Sequence, residues 1–227
     1  MTTNASDESA IILLGGGVVD SASIGTLPKA TRVIAADSGA ELADALGLTV
    51  DTVVGDLDSL NDTALRALTA LGTTIVRHPA DKNETDAELA ILHAVERGAR
   101  HLTIIGAWGG RIDHQMSIVA LLFHDRLSGI HVEARFGSGR VFPIRGGQSR
   151  TIDCAPDAVV GLIPFGGDVH NIRTDGLHWP LHDETLAVVS SRGVSNRCTN
   201  GSFTVSVGAG LLLATVHAPE TARSVVE

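Results

Sequence analysis

Asp56 and Asp58 stand one residue apart at the end of a short apolar run, in the stretch DTVVGDLDS from Asp51 to Ser59. Two carboxylates placed that way repel: unit charges about 4 Å apart cost roughly 4 kcal/mol at an effective dielectric of about 20. Further acids fall at corresponding places. Asp37 follows RVIAA, Asp86 follows TTIVRHPADKNET at the start of a helical stretch, and Asp113 follows HLTIIGAWGGR at another helix start. Gathered at one edge, such a set either protonates or holds a cation. An all-oxygen set suits Mg2+, which takes one or two carboxylates and shares its other positions with water and substrate phosphates.

Glycines accompany the acids. Gly15-Gly16-Gly17 follows the first apolar run, and Gly109-Gly110 precedes Arg111. Glycine lets backbone N–H groups approach a phosphate, and a helix N-terminus adds a favourable dipole. No GxxxxGK[ST] loop is present, and GGGVVD is not GxGxxG. Lys82 and Arg111 are the candidate cations for phosphate. Some acids read as structural. Asp51 begins its strand, at the end opposite to Asp56. The run Thr85-Asp-Ala-Glu88 fits a capping box, with Thr85 as N-cap and Glu88 as reciprocal partner, which leaves Asp86 free to face a ligand.

The elements that must position these residues follow from the apolar pattern. Runs at 10–14, 32–36, 51–55, 73–77, 101–105 and 131–135 read as strands, near-continuous in Val and Ile as expected when both faces are covered. Between several of them lie amphipathic helical stretches: AELADALG, DTALRALTALG, TDAELAILHAVERG and DHQMSIVALLFHDRL. Alternation of this kind predicts an α/β domain with a mostly parallel sheet, whose ligands bind beyond the carboxyl ends of the strands. After about residue 137 the helical period fades. RVFPI, AVVGLIP, DVHNIRT, LAVVSS, SFTVSV and GLLLATV, separated by Gly, Pro, Asn and Asp, predict an all-β sandwich. The expected domains are 1–137, α/β, and 138–227, all-β.

Composition narrows the function classes. Charged residues make up 19% and hydrophobic ones 44%, which fits a globular chain and not a disordered one. A formal net charge of -9 argues against nucleic acid and against an anionic membrane surface, both of which need a basic footprint. The opening MTTNASDESAIILLGGG lacks the basic region of a signal peptide, and no run approaches the ~18 apolar residues of a membrane span. A soluble, cytoplasmic protein is expected. Cys154 and Cys198 have no metal-type spacing and are expected as unpaired thiols in a reducing compartment, with a single disulfide as the alternative.

With these residues in place, the chain resembles the thiamine pyrophosphokinases (thiamine diphosphokinases). The resemblance is carried by AADSGA (35–40), DTVVGDLDS (51–59), the lysine and Thr-Asp of DKNETDAELA (81–90) and GAWGGRIDHQ (106–115). It continues in LIPFGGDVHNIRTDGLHWPL (162–181), SSRGVSN (190–196) and FTVSVGAGLLL (203–213). The resemblance implies an α/β N-terminal domain, a β-sandwich C-terminal domain and a homodimer with active sites at the subunit interface. It implies transfer of the terminal diphosphate of ATP to the hydroxyethyl oxygen of thiamine, releasing AMP. By the same resemblance Asp56, Asp58 and Asp86 bind Mg2+, with Asp37 close by. Lys82, Arg111, Asp113 and His114 belong to the nucleotide and phosphate region. Ser195 and Asn196 match the family's thiamine-side Ser-Asn, and Trp179 packs near the organic ring or, alternatively, in the sandwich core. Three positions depart from the family pattern: Ser38 where a second Gly is common, Glu41 where Asn is usual, and Trp108 where a smaller aliphatic residue is common.

The expected chemistry is in-line attack of the thiamine hydroxyl on the β-phosphorus of ATP, helped by positioning and charge stabilisation. Asp37 or Asp113 is the candidate proton acceptor, with direct loss to solvent as a third route. Four alternatives stay open. A pterin-alcohol diphosphokinase would keep the fold and change the acceptor. A haloacid-dehalogenase-like phosphatase would use Asp56 as nucleophile, and a nucleotide-sugar transferase would use the DxD to hold its metal. A sensor of thiamine or nucleotide would bind without turnover.

Overall fold

The computed structural model describes residues 8–17, 19–106 and 109–219. The chain divides into two compact units, Met1–Gly137 and Ser138–Glu227. The fold is sheet-rich α/β.

The first unit alternates strand and helix. Its strands are β1 (Ser9–Leu14), β2 (Arg32–Ala36), β3 (Thr52–Gly55), β4 (Thr74–Arg77), β5 (His101–Gly106) and β6 (His131–Phe136). They lie in the order β4-β3-β2-β1-β5-β6, and every pairing is parallel. β1, β2 and β5 are buried along almost their whole length, which explains their unbroken aliphatic sequence. The helices are α1 (Ser21–Ile24), α2 (Leu42–Ala45), α3 (Asp62–Ala70), α4 (Asp86–Glu96) and α5 (Ile112–Leu121). α4 turns Ala90, Ile91 and Ala94 inward and packs on β2 and β3. The order reverses between β1 and β5, so the switch point of the sheet, where a crevice opens, lies at the carboxyl end of β1.

Two local readings gain detail here. The Asp51 carboxylate accepts from the Val33 N–H at 2.7 Å, so it ties β3 to β2 at the amino end of the sheet. Thr85 caps α4 by accepting from the Glu88 N–H at 3.2 Å. The cap is one-sided, however: the Glu88 carboxylate faces His124 Nε2 at 3.8 Å.

The second unit is all-β: β7 (Gly139–Arg145), β8 (Ser149–Asp153), β9 (Val159–Asp175), β10 (His182–Leu186), β11 (Asn196–Arg197), β12 (Ser202–Ser206) and β13 (Ala209–His217). AVVGLIP and DVHNIRT, expected as separate strands, are one strand, β9. Its first half pairs with β13 and β11, and its second half with β10 and β12. The intervening Phe-Gly-Gly reads as a turn but only bends the strand, because each half finds its own partners. LAVVSS, also expected as a strand, is a correction: the strand is the polar run His182–Leu186, and Val189 in the turn after it is 95% exposed. Buried Phe142, Ile144, Val160, Leu162, Val169, Phe203 and Leu212 form this unit's core.

The cysteines correct a second expectation. Cys154 and Cys198 form a disulfide across a separation of 44 residues. Antiparallel neighbours bring them together, since the Cys154 N–H donates to Gly201 O and the Cys198 N–H to Ala158 O, each at 2.9 Å. Spacing in sequence carries no trace of that proximity. Among the described residues, no helix is long and apolar enough to cross a membrane.

Candidate active site

Segments following β1, β2, β3, β4 and β5 meet at the carboxyl edge of the first unit around a cavity of about 790 Å3. Its walls include Gly15, Gly16, Asp37, Ser38, Asp56, Asp58, Ser59, Asp86, Gly109, Gly110, Arg111 and His114. The strands end in register there, with Leu14 opposite Ala36, Ala36 opposite Val54 and Gly55 opposite Arg77. Gly55 makes the convergence possible. A Cβ at that position would stand 3.1 Å from Asp86 Cγ and 3.2 Å from Asp37 Cβ, and its φ of +154° disfavours any other residue. Asp37 and Leu57 also adopt positive φ, 46° and 67°, conformations that cost energy and that gather at functional sites.

Ligating atoms of Asp37, Asp56 and Asp58 lie within 4.8 Å of one another. Asp37 is 8% exposed, and burial raises its carboxyl pKa, with the Ser59 hydroxyl and the Ser38 backbone opposing the shift and Asp86 and Asp56 adding to it. Asp56 is shifted down, first by the Asp58 N–H donating to its Oδ1 at 3.2 Å and then by Lys82. The Lys82 ammonium sits 3.1 Å from both Asp56 Oδ2 and Asp86 Oδ1. Burial pulls its pKa down, and the two carboxylates, Asp86 ahead of Asp56, more than offset that and raise it. Oδ1 of Asp37 is nonetheless buried without a hydrogen-bond partner, and the buried Oδ1 of Asp86 has only the Lys82 ammonium beside it. Orphaned buried oxygens are costly. The unpaired Asp37 oxygen, within an all-carboxylate donor set, fits a hard divalent cation.

The grouping differs in one respect from the sequence reading. Asp37, expected only nearby, stands with Asp56 and Asp58, while Asp86 is held by Lys82. Arg111 and Asp113 lie at the start of α5 and form an exposed pair, Nη2 to Oδ2 at 2.5 Å. The guanidinium holds the Asp113 carboxyl down at about 2. Arg111 and His114 line the cavity. Glu41 is exposed in the short 3-10 turn after β2, Ser38 lines the cavity, and Trp108 lies outside the described residues.

In the second unit, Ser195 is exposed at φ 62° and Asn196 is 8% exposed at the start of β11. The Asn196 side chain is engaged with the main chain of Trp179. Trp179 is 56% exposed, so the alternative of a sandwich-core tryptophan is set aside.

Two residues at the site, Ser59 in the cavity wall and Gly55 beneath the acids, are not singled out by the sequence. Ser59 donates to Asp58 Oδ1 at 3.2 Å, and its hydroxyl also favours the ionised form of Asp37, so it bears on two of the clustered acids. Gly55 was read only as the end of a strand. The glycine between VV and DxD was the available signal for the close approach, but nothing in the sequence shows what approaches it.

Comparison with known proteins bears on the same segments. Residues 26–134 match the family described as thiamin pyrophosphokinase, catalytic domain, and residues 150–212 match thiamin pyrophosphokinase, vitamin B1 binding domain. The thiamine pyrophosphokinase of Bacillus subtilis (strain 168) is 24% identical over 183 residues, which are 81% of this chain and 86% of that protein. A crystal structure of thiamine pyrophosphokinase from Bacillus subtilis shares the fold with a TM-score of 0.80 at 23% identity, covering 93% of this chain and 99% of that one. The yeast thiamin pyrophosphokinase structure has a TM-score of 0.72 at 18% identity, covering 94% and 87%.

Proposed function

This chain belongs to the thiamine pyrophosphokinase family, and on that premise we propose that it transfers the terminal diphosphate of ATP to the hydroxyethyl oxygen of thiamine, giving thiamine diphosphate and AMP. The observation that carries the reading is the pair of family matches in series, the first spanning the acids Asp37, Asp56, Asp58 and Asp86, the second spanning Trp179 and Asn196. The matches favour neither the pterin-alcohol acceptor nor a phosphatase using Asp56.

The finer assignments follow from that reading. Met1–Gly137 acts as the nucleotide- and metal-binding catalytic domain, and Ser138–Glu227 as a β-sandwich that binds thiamine. Asp37, Asp56 and Asp58 hold Mg2+, with Asp86 beside them. Bound there, Mg2+ supplies neutralisation of charge on the phosphate oxygens. Backbone N–H groups of Gly15, Gly16, Gly109 and Gly110 offer close approach to the triphosphate. Arg111 and His114 reach it from the start of α5, where the helix dipole favours anions. Lys82 fixes Asp56 and Asp86 relative to each other and adds positive charge. The hydroxyl proton goes to Asp37, which lines the cavity. Asp113 is tied to Arg111 and lies outside the lining set. Trp179, Ser195 and Asn196 form the thiamine side.

A homodimer with active sites at the subunit interface and a cytoplasmic setting belong to the same proposal.

Incubating the protein with ATP, Mg2+ and thiamine and weighing the products tests the reaction. Thiamine diphosphate with AMP is the expected result. Thiamine monophosphate with ADP, or turnover of a pterin alcohol in place of thiamine, overturns it.

A further inference from the structure

Trp179 poses a problem that the fold alone does not answer. Tryptophan is bulky and apolar and is largely buried in most proteins. Here it is 56% exposed, with His178 standing edge-on, ring centroids 4.5 Å apart and planes at 76°. Its backbone, in contrast, is held firmly. The Asn196 carboxamide oxygen accepts from the Trp179 N–H at 3.1 Å, and the carboxamide nitrogen donates to the Trp179 carbonyl at 2.7 Å. One side chain thus serves both main-chain polar groups of Trp179, as a neighbouring strand would. Pro180 follows and has no N–H with which to continue a ladder.

The same oxygen accepts from the Arg197 N–H at 2.8 Å. A carboxamide has two acceptor sites and two N–H groups, so the acceptors are filled and a single N–H is left over. Asn196 has little capacity for a ligand of its own. Flanking bonds extend the clamp. The His178 N–H donates to Arg197 O and the Thr199 N–H to Gly176 O, each at 2.9 Å, and Leu177 bridges Cys198. Cys198 in turn is joined to Cys154. Ser195, at φ 62°, turns the chain immediately before the buried Asn196.

We infer that Asn196 is a positioning residue: it fixes the Trp179 peptide so that the indole is presented to a flat ring of the substrate, and it acts on thiamine only through Trp179. The inference rests on the thiamine reading of this unit. The recognising chemistry is an exposed indole face, which attracts flat rings and cations alike. Without the clamp, the Trp179 peptide loses both partners, and the indole must be ordered at the moment of binding.

A double-mutant cycle on the full-length enzyme tests it, with Trp179→Ala, Asn196→Ala and the double variant compared by steady-state kinetics. Each single change is expected to raise KM for thiamine about tenfold, leaving KM for ATP within about twofold. The double variant is expected to match Trp179→Ala alone, because the clamp has nothing left to present. Losses that multiply would show Asn196 touching thiamine directly, overturning the inference while the thiamine reading stands. An unchanged thiamine KM in Trp179→Ala would remove Trp179 from the substrate side and the inference with it. If Asn196→Ala does not fold, Asn196→Asp, which keeps the accepting oxygen but loses the donor, takes its place in the cycle. Near-UV circular dichroism in a Trp108→Phe background reads the indole directly. Its signal is expected to weaken in Asn196→Ala, and an unaltered spectrum would count against the clamp.

Discussion

At the carboxyl edge of the first unit, a buried carboxylate oxygen of Asp37 lacks a partner, whereas in the second unit the buried amide of Asn196 is nearly saturated and an apolar ring is left exposed. Each is a departure from what a stable fold prefers, and the departures are opposite. A buried polar atom without a partner fits a charged ligand. An exposed indole fits a flat apolar one. The first unit should therefore be more stable when the buried charge of Asp37 is removed, and the Trp179 segment less stable when its polar group is removed.

The largest expected effect is on turnover. Asp58→Asn should lower kcat by about 10²–10³-fold at saturating Mg2+ while far-UV circular dichroism stays unchanged. Near-normal AMP release would take Asp58 out of the site. Next comes ligand-linked stability. Mg2+ at about 100 times its dissociation constant should stabilise the wild type by about 2.7 kcal/mol in thermal melts. Trp179→Ala should gain as much and Asp58→Asn less; equal gains in all three would break the contrast between the regions.

Stability without ligand sharpens it further. Asn196→Ala should lose about 1–3 kcal/mol in urea titrations, because three main-chain groups lose a partner. Asp37→Asn should lose nothing and gain a little at neutral pH. Burial raises the Asp37 pKa, so the folded chain holds that proton more tightly than the unfolded chain does, and ionisation above the folded pKa costs stability that the amide does not pay. Matching losses in the two variants would erase the distinction.

The smallest effect separates acid sensitivity of α4 from that of the acid edge. Burial, then Arg97, pushes the half-buried His93 below its usual 6.5. The unfolded chain therefore takes up that proton first, and stability falls as pH drops through about 6.5. His93→Gln should flatten that fall, measured as the urea midpoint at neutral pH against about pH 5.5. An unchanged slope would place the acid sensitivity elsewhere.

Much of the first unit was legible in sequence. Its central strands β1, β2 and β5 are near-continuous aliphatic runs, since parallel strands buried on both faces permit little else. Thr85 and Asp51 were legible because caps and strand starts are local. The second unit was less so. β10 is polar along its exposed edge and hid its pairing, while Val188 and Val189 mimicked a strand in a turn. The Cys154–Cys198 disulfide, and the engagement of Asn196 with Trp179 17 residues away, depend on antiparallel neighbours that no local period reveals.

By itself the sequence determined which residues reach the sheet edge: a carboxylate one or two residues past a buried strand must emerge at its carboxyl end, because the chain direction fixes that. Motif order determined the family. Only the tertiary structure decided which partner each of them takes. It placed Asp37 beside Asp56 and Asp58, set Lys82 between Asp56 and Asp86, and turned Asn196 toward Trp179. The physical reason is that hydrogen-bond and charge partners are chosen within about 3 Å in space. That distance is set by strand order, by positive φ at Asp37, Leu57 and Ser195, and by the missing Cβ of Gly55, none of which has a period in the chain.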